Sequence, residues 1–593
     1  MESEFGNEFL CKFPITYSLI ESESFVKKLF IGQSDVKNIF PYPLNLSDEQ
    51  KELLGVLLPS TEKFFTEINN PVENDEKAEI SMEVLKHFAD FGGFGVLVPE
   101  KYGGAGMCNT QMARFGEQIG ANDLAFGVIM GAHQSIGYKG ILLYGDDKMK
   151  QKYLPDLAAG KRFACFCLTE PSSGSDANSI RTRAEKTPDG KYYIINGAKI
   201  WISNGGIADI FTVFAQTQIE TADGKTKDRI SAFLVEKNFG GVTCGLPEKK
   251  MGIKGSNTTS VYFENTKVPA ENLIGREGEG FKVAMNILNN GRFSIPAACT
   301  GAMKTCIIKT IQHVTTRSQF GRKLIEFGNV KEQIVDMIVR HYATESVLYL
   351  LSSNMDRGVT DYQLEAAIGK IMASENAWIV CDKAIQLHGG MGYMKECGLE
   401  RIMRDLRVFR LFEGANDVLR LYIVLSGMQF AGKHFQYLKK QMKSGAISAI
   451  FSEFARRFFG FDIIFLEGDL RTNIGTDIAI VVHPLLIDSA KQVNTAIKEY
   501  GKAVERLLIT HRRNIIDRQY ELIRMADAAV DIFSMTAVLA RCTMALNGKT
   551  NADDEHKIPV LLCEQASLIA IISVQNNAVM TLSKFRTLPG IND

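Results

Sequence analysis

The stretch RVFRLFEGANDVLR, residues 407–420, places one carboxylate, Glu413, between Leu411–Phe412 and Gly414–Ala415, with no cation beside it in sequence. A carboxylate among apolar groups loses hydration, and desolvation raises its pKa and its strength as a base. Read alone, the same pattern also fits an exposed carboxylate at a helix end. Four other stretches carry usable chemistry. CLTEPSSGSD, 167–176, gathers hydroxyls and glycine-backed N–H groups that suit a polar ligand, or equally a solvated turn. KIWISNGG, 199–206, sets Trp201 and Ser203 at alternating strand positions, where an indole is more often core. TRSQFGRKL, 316–324, spaces Arg317 and Phe320 one helical turn apart. QLHGGMGY, 386–393, is a glycine cluster after a helix; it fits a C-cap and turn, and it lacks the preceding strand of a dinucleotide fingerprint.

The elements that must position these residues follow from periodicity. Residues 1–47 read as an N-terminal arm closed by Pro41 and Pro43, and Ser47 with Gln50 three positions later marks a capped helix start. From 48 to 164 the pattern is helical, as in EVLKHFADFGGFGVL and NTQMARFGEQIG. From 165 to 275, runs such as KYYIINGAKIWIS and DIFTVFAQT alternate apolar and polar residues between Asn, Gly and Asp clusters, predicting an antiparallel β domain. Helical periodicity returns over 276–430 as a four-helix bundle, and 485–593 is a further all-helical domain. The fold class expected is α+β. Between them, 431–484 carries GAISAIFSEFARRFFGF, with Ile447, Ile450, Phe451, Phe454 and Phe458 on one helical face. That stripe fits a helix on its own core or one lying in a membrane interface, its arginines on anionic head groups.

Bulk properties exclude several classes. A chain of 593 residues exceeds one ordinary core, and 45% hydrophobic with 23% charged residues is globular. Lys+Arg and Asp+Glu are both 68, so no basic excess is present to grip nucleic acid. Eleven cysteines without a CxxC pair, and nine histidines without metal-ligand spacing, suggest neither a disulfide framework nor zinc. No apolar run reaches the roughly 20 residues of a membrane span, and MESEFGNEFL shows no import signal.

Together and in this order, LTEPSSGSD, WISNGG, TRSQFG, GGMGY and RLFEG resemble the acyl-CoA dehydrogenase flavoenzymes, most closely the very-long-chain branch, over about residues 48–430. That branch also has an extra C-terminal domain. The resemblance implies FAD as cofactor, with Phe166, Cys167, Leu168, Thr169 and Ser175 along the flavin and Trp201, Ile202 and Ser203 flanking its ring. It implies Arg317 and Phe320 at the diphosphate and adenine side. Gln386, Gly389 and Gly390 match the stretch where FAD crosses a homodimer interface, and Ala415, Asn416 and Asp417 match further FAD contacts. Ser175, Asn289, Arg292, Phe412 and Gly414 match positions at the acyl-CoA. Gly127 and Gly131 match the far end of the acyl channel, where glycine makes room for a longer tail, although close helix packing explains them equally well.

Glu413 matches the catalytic base. As it takes the α-proton, the β-hydride passes to the flavin and a trans-2-enoyl-CoA results, the enolate held by the base's own N–H and a ribityl hydroxyl. The resemblance further implies the first step of fatty-acid β-oxidation, electron transfer to electron-transfer flavoprotein, and peripheral attachment to the matrix side of the mitochondrial inner membrane. Acyl-CoA oxidase and a respiratory complex I assembly factor of the same family remain alternatives. One departure stands out: Ala415 replaces the threonine usual after the base, losing a hydroxyl toward FAD.

Overall fold

The computed structural model describes residues 22–548, apart from 45, 221–223, 444–463, 467–468 and 472–476. The aromatic stripe at 447–458 and the acidic N-terminus lie outside the described residues.

A short helix, α1 (Phe25–Leu29), is capped by Ser24 and comes first among the described residues. α2 (Asp48–Glu67) begins with the expected capping box between Ser47 and Gln50. α3 (Asn109–Asn122) and α4 (Leu124–Gly131) meet at Asp123, whose side chain accepts from the first N–H groups of α4. Phe64, Phe88 and Phe126 close their core, with ring centroids 4.6 to 5.2 Å apart.

The middle domain is one sheet built from β1 (Ala164–Cys167), β2 (Arg183–Lys186), β3 (Tyr192–Ser203), β4 (Ile210–Glu220), β5 (Thr226–Glu236), β6 (Val242–Cys244), β7 (Thr258–Pro269) and β8 (Leu273–Ile274). Its order is β6-β7-β3-β2-β4-β5-β8, with β1 added against β4. The sheet is antiparallel except where β1 and β2 each run parallel to β4. The first of these pairings brings the end of β1, and so the LTEPSSGSD loop, beside the buried middle of the sheet.

α5 (Gly280–Gly291) leads into four long helices: α6 (Ser294–Thr316), α7 (Gly328–Asp356), α8 (Gln363–His388) and α9 (Asn416–Lys443). Unbroken burial over 364–374 of α8 is that of a helix packed on several sides. α9 does not stop at 430 but continues without a break to Lys443. Beyond it, α10 (Ile487–His511) and α11 (Gln519–Asn547) pack back on the bundle. α11 has the length and hydropathy (1.5) to cross a bilayer, which the run-length criterion missed because Asp, Arg, Ser and Thr interrupt its apolar residues. Here 72% of its apolar window is buried inside the protein.

Ion pairs Arg541–Glu345 (2.6 Å) and Arg420–Asp527 (2.7 Å) fasten α11 to α7 and α9. The N-terminal arm wedges into the same junction. Phe25 meets Phe533, Phe30 meets Tyr500 edge-on, and Gly501 admits the backbone so closely that a Cβ there would lie 2.4 Å from the Gly32 Cα.

Candidate active site

Glu413 and Gly414 both have left-handed backbones, φ 51° and 98°, in the turn between a 3₁₀ segment ending at Arg410 and α9. A non-glycine residue there is strained by roughly 1 kcal/mol or more and persists only when its surroundings hold it. Two cations do so through backbone oxygens. Arg292 Nε donates to the Glu413 carbonyl (3.4 Å), and Lys370 Nζ donates to the Gly414 carbonyl (2.8 Å) and to Asn416 Oδ1 (2.7 Å). Asn416 Nδ2 in turn donates to Ser374 Oγ (3.0 Å) and Glu375 Oε1 (2.9 Å). The side chain of Asn416 is therefore spent inside the bundle, leaving only its backbone for a cofactor.

The Glu413 carboxylate itself receives no hydrogen bond from the described residues, and its Oε2 is shut off from solvent. Burial pushes its pKa above the ordinary 4.5, against the pull of Arg292 and Lys370. The expectation of a carboxylate with no cation at hand is corrected here. Sequence neighbours supply none, but the turn before α6 and the middle of α8 bring two. Because both spend hydrogen bonds on backbone carbonyls, they moderate the desolvation without cancelling it. Arg292 is 6% exposed and also donates to Asn289 Oδ1, so two of the residues expected at the acyl-CoA are joined, and of the two Arg292 bonds the base turn. Phe412 packs edge-on against Phe409 at 5.0 Å, forming the apolar side of the turn.

At the sheet, the Thr169 carbonyl accepts from Ile200 N–H at 3.0 Å, joining the two stretches expected at the flavin. Between Lys199 and Ile202 the β3–β7 register shifts, and Trp201 sits in that bulge with φ 56° and 65% of its surface exposed. The indole is thus not core. Ile202 is buried, Ser203 half-buried and paired with Thr258, and Phe166 packs on Phe214. Cys167 and Leu168 are buried, so what they offer a ligand is backbone, whereas Ser175 is exposed.

A buried ion pair that no motif announces fixes this loop. Glu170 accepts from Arg181 N–H (2.6 Å), Thr182 N–H (3.0 Å), Thr182 Oγ1 (2.6 Å) and Lys199 Nζ (2.7 Å). Lys199 also donates to the Leu168 and Phe214 carbonyls, and neither member of the pair is more than 4% exposed. The available signal was a lysine at an inward position between Ile195 and Ile202.

Arg317 and Phe320 are not on one helical face. α6 ends at Thr316, Arg317 is extended, and Phe320–Gly321 (φ 54° and 78°) form the two-residue turn of a small hairpin. Two successive left-handed residues are what that hairpin turn demands. Stacking of His313 on His388, 4.4 Å between rings, sets this hairpin beside the end of α8, where Gln386, Gly389 (φ 60°) and Gly390 are exposed. Phe320 is 94% and Tyr393 83% exposed, with Met391 and Met394 also open.

The two glycines expected at the acyl channel differ in their surroundings from a packing glycine. A Cβ on Gly127 would meet only Ile119 at 3.5 Å, and one on Gly131 would meet nothing within 4 Å. Gly120, by contrast, would drive a Cβ to 2.2 Å from the Ala298 carbonyl. Gly120 is a packing glycine; a side chain at Gly127 would make only ordinary contact, and Gly131 borders open volume.

Comparison with known proteins sets this geometry in context. Residues 48–161, 165–266 and 278–427 match the family descriptions "Acyl-CoA dehydrogenase, N-terminal domain", "middle domain" and "C-terminal domain", and 484–588 match "ACAD9/ACADV, C-terminal domain". The very long-chain specific acyl-CoA dehydrogenase of Mus musculus mitochondria is 47% identical over 563 residues, 94% of this chain and 84% of that protein. Among solved structures, the acyl-CoA dehydrogenase complexed with FAD from Bacillus anthracis superposes with TM-score 0.79 at 28% identity, covering 94% of this chain and 93% of that one. A structure described as electron transferring flavoprotein of Acidaminococcus fermentans gives TM-score 0.59 at 32% identity, over 65% of this chain and 98% of that one.

Proposed function

The chain belongs to the acyl-CoA dehydrogenase family, and on that premise we propose that it oxidises long- and very-long-chain acyl-CoA thioesters to trans-2-enoyl-CoA with Glu413 as the base. It is an FAD-dependent dehydrogenase by family. The observation that carries the base assignment is the Glu413 carboxylate: screened from water at Oε2, free of hydrogen bonds from the described residues, and raised in pKa by burial. The α-proton of a thioester is a weak acid, so a base in water would be too feeble. A desolvated carboxylate gains free energy on becoming neutral, which favours the transfer. Nearby charges limit the shift, keeping Glu413 ionised often enough to act. The Glu413 N–H donates to no acceptor among the described residues and is available to a substrate carbonyl, where charge develops as the proton leaves.

The residues present fit FAD. A largely exposed indole at a strand bulge, beside a loop of buried residues offering backbone groups, is a surface that a planar ring system would cover. Open backbone at Gly389 and the exposed Arg317 suit a diphosphate. When bound, FAD supplies the acceptor for the β-hydride. The open volume at Gly131, with Gly127 one turn before it, supports a long acyl tail. The exposed apolar group of Phe320, Met391, Tyr393 and Met394 supports a homodimer. Transfer to electron-transfer flavoprotein, a mitochondrial location and attachment through 431–484 complete the reading; they rest on the relatives and the sequence stripe.

Anaerobic titration of the purified yellow protein with palmitoyl-CoA and octanoyl-CoA tests this. Palmitoyl-CoA should bleach the flavin of wild type, and Glu413→Gln should slow bleaching by about 10²–10⁴-fold. A flavin that no acyl-CoA reduces would point to the assembly-factor alternative.

A further inference from the structure

Behind the base turn, on α8, Lys370 is fully buried (0% exposed). Its Nζ donates to the Gly414 carbonyl and to Asn416 Oδ1, neither of them a charged group. A buried ammonium is costly unless a countercharge and hydrogen bonds offset it. Four charged or titratable groups bear on it: Glu413 from the turn, Arg292 from the segment before α6, Cys299 from α6, and Glu375 from α8 itself. From α9, Tyr422 faces Arg292. Burial pushes the Cys299 thiol up to about 12, so it stays neutral. Glu375 is already held by Arg410 (2.9 Å) and Asn416 (2.9 Å). Glu413 is the carboxylate left uncommitted next to Lys370.

The geometry of the turn matters as much as its charge. Glu413 and Gly414 are consecutive left-handed residues, and each carbonyl is held by a different buried cation, Arg292 for the first and Lys370 for the second. Releasing either carbonyl would let the turn relax and move the carboxylate. Asn416, the first residue of α9, is gripped by the same ammonium, so Lys370 also sets where α9 begins relative to α8.

We propose that Lys370 is a positioning residue for the base: it fastens the strained Glu413–Gly414 turn from inside the bundle, and its charge keeps Glu413 ionised between turnovers. This rests on the assignment of Glu413 as base. Burial draws Lys370 itself down to about 7, with Glu413 pulling it back up.

The test is the reductive half-reaction of the holoenzyme with palmitoyl-CoA, followed by flavin bleaching across pH, for wild type, Lys370→Gln, Lys370→Met and Lys370→Arg. Lys370→Gln keeps hydrogen-bond donors and discards the charge. It should retain flavin and bind palmitoyl-CoA within about threefold of wild type, yet bleach about 10- to 100-fold more slowly because a displaced base costs that much. Its acidic limb should move to higher pH, since a cation favouring the carboxylate is gone. Lys370→Arg should leave the limb in place. An unmoved limb in Lys370→Gln and Lys370→Met overturns the proposal whatever their rates, because the lysine is then only structural. If Lys370→Met fails to accumulate as a yellow protein, Lys370→Gln decides alone. Wild-type bleaching by Glu413→Gln would instead overturn the base assignment.

Discussion

Among the described residues, a buried lysine beside a glutamate occurs at Lys199 with Glu170 and at Lys370 near Glu413, and the two are used in opposite ways. In the β domain, Glu170 accepts four hydrogen bonds and Lys199 spends all three donors, one of them on Glu170 at 2.7 Å. Burial alone would raise the Glu170 pKa, but Lys199 and the surrounding donors reverse that and hold it below 4.5. In the bundle, Lys370 bonds backbone and amide oxygens while Glu413 accepts no hydrogen bond from the described residues, so burial prevails and its pKa rises. Residue type and burial are matched in the two lysines; what differs is whether the ammonium and its neighbours donate to the glutamate. A satisfied carboxylate anchors a loop, and an unsatisfied one is left able to take a proton.

The contrast is broken most strongly by removing one partner of the satisfied pair. Glu170→Gln leaves the Lys199 ammonium buried without a countercharge and should cost about 3–5 kcal/mol of stability, read by denaturant unfolding. Glu170→Gln combined with Lys199→Met should recover much of that loss, because an apolar replacement of a whole buried pair is tolerated. If the single and double variants lose equally, the pair is not the anchor described here.

Acid sharpens the comparison. Glu170, with a depressed pKa, contributes stability that is present above its ordinary value of 4.5 and is lost as pH falls through its lower folded value. Glu413 has the opposite sign: its raised pKa makes the folded protein less stable as pH climbs from 4.5 through the folded value. Thermal melts over that range should therefore show a flatter pH dependence on the upper side in Glu413→Gln than in wild type. The smallest expected effect is the most telling. At neutral pH, Glu413→Gln should raise stability by about 1 kcal/mol, because a neutral amide replaces an unsatisfied buried charge. A destabilised Glu413→Gln would mean that the carboxylate is satisfied after all.

Much of this was legible without coordinates. Period-2 and period-3.6 patterning marks out the β domain and the long helices, because burial of one face dictates which positions are apolar. The capping box at Ser47 and Gln50 is a local event between residues three apart, and it forms as read. Glu413 stood out because its immediate neighbours are apolar, which is also a local property.

What the sequence could not determine are relations between residues far apart in the chain. That Arg292 and Lys370 converge on a turn more than forty residues beyond either depends on three helices packing together. That Trp201 leaves the core depends on a register shift against β7, and that Arg317 and Phe320 part from a helix depends on where α6 ends. Whether Gly131 packs or makes room depends on what stands opposite it. Composition and period name the residue types that can do chemistry. Only tertiary packing decides which hydrogen bonds reach them, and the proton affinity of a buried carboxylate is set by those bonds.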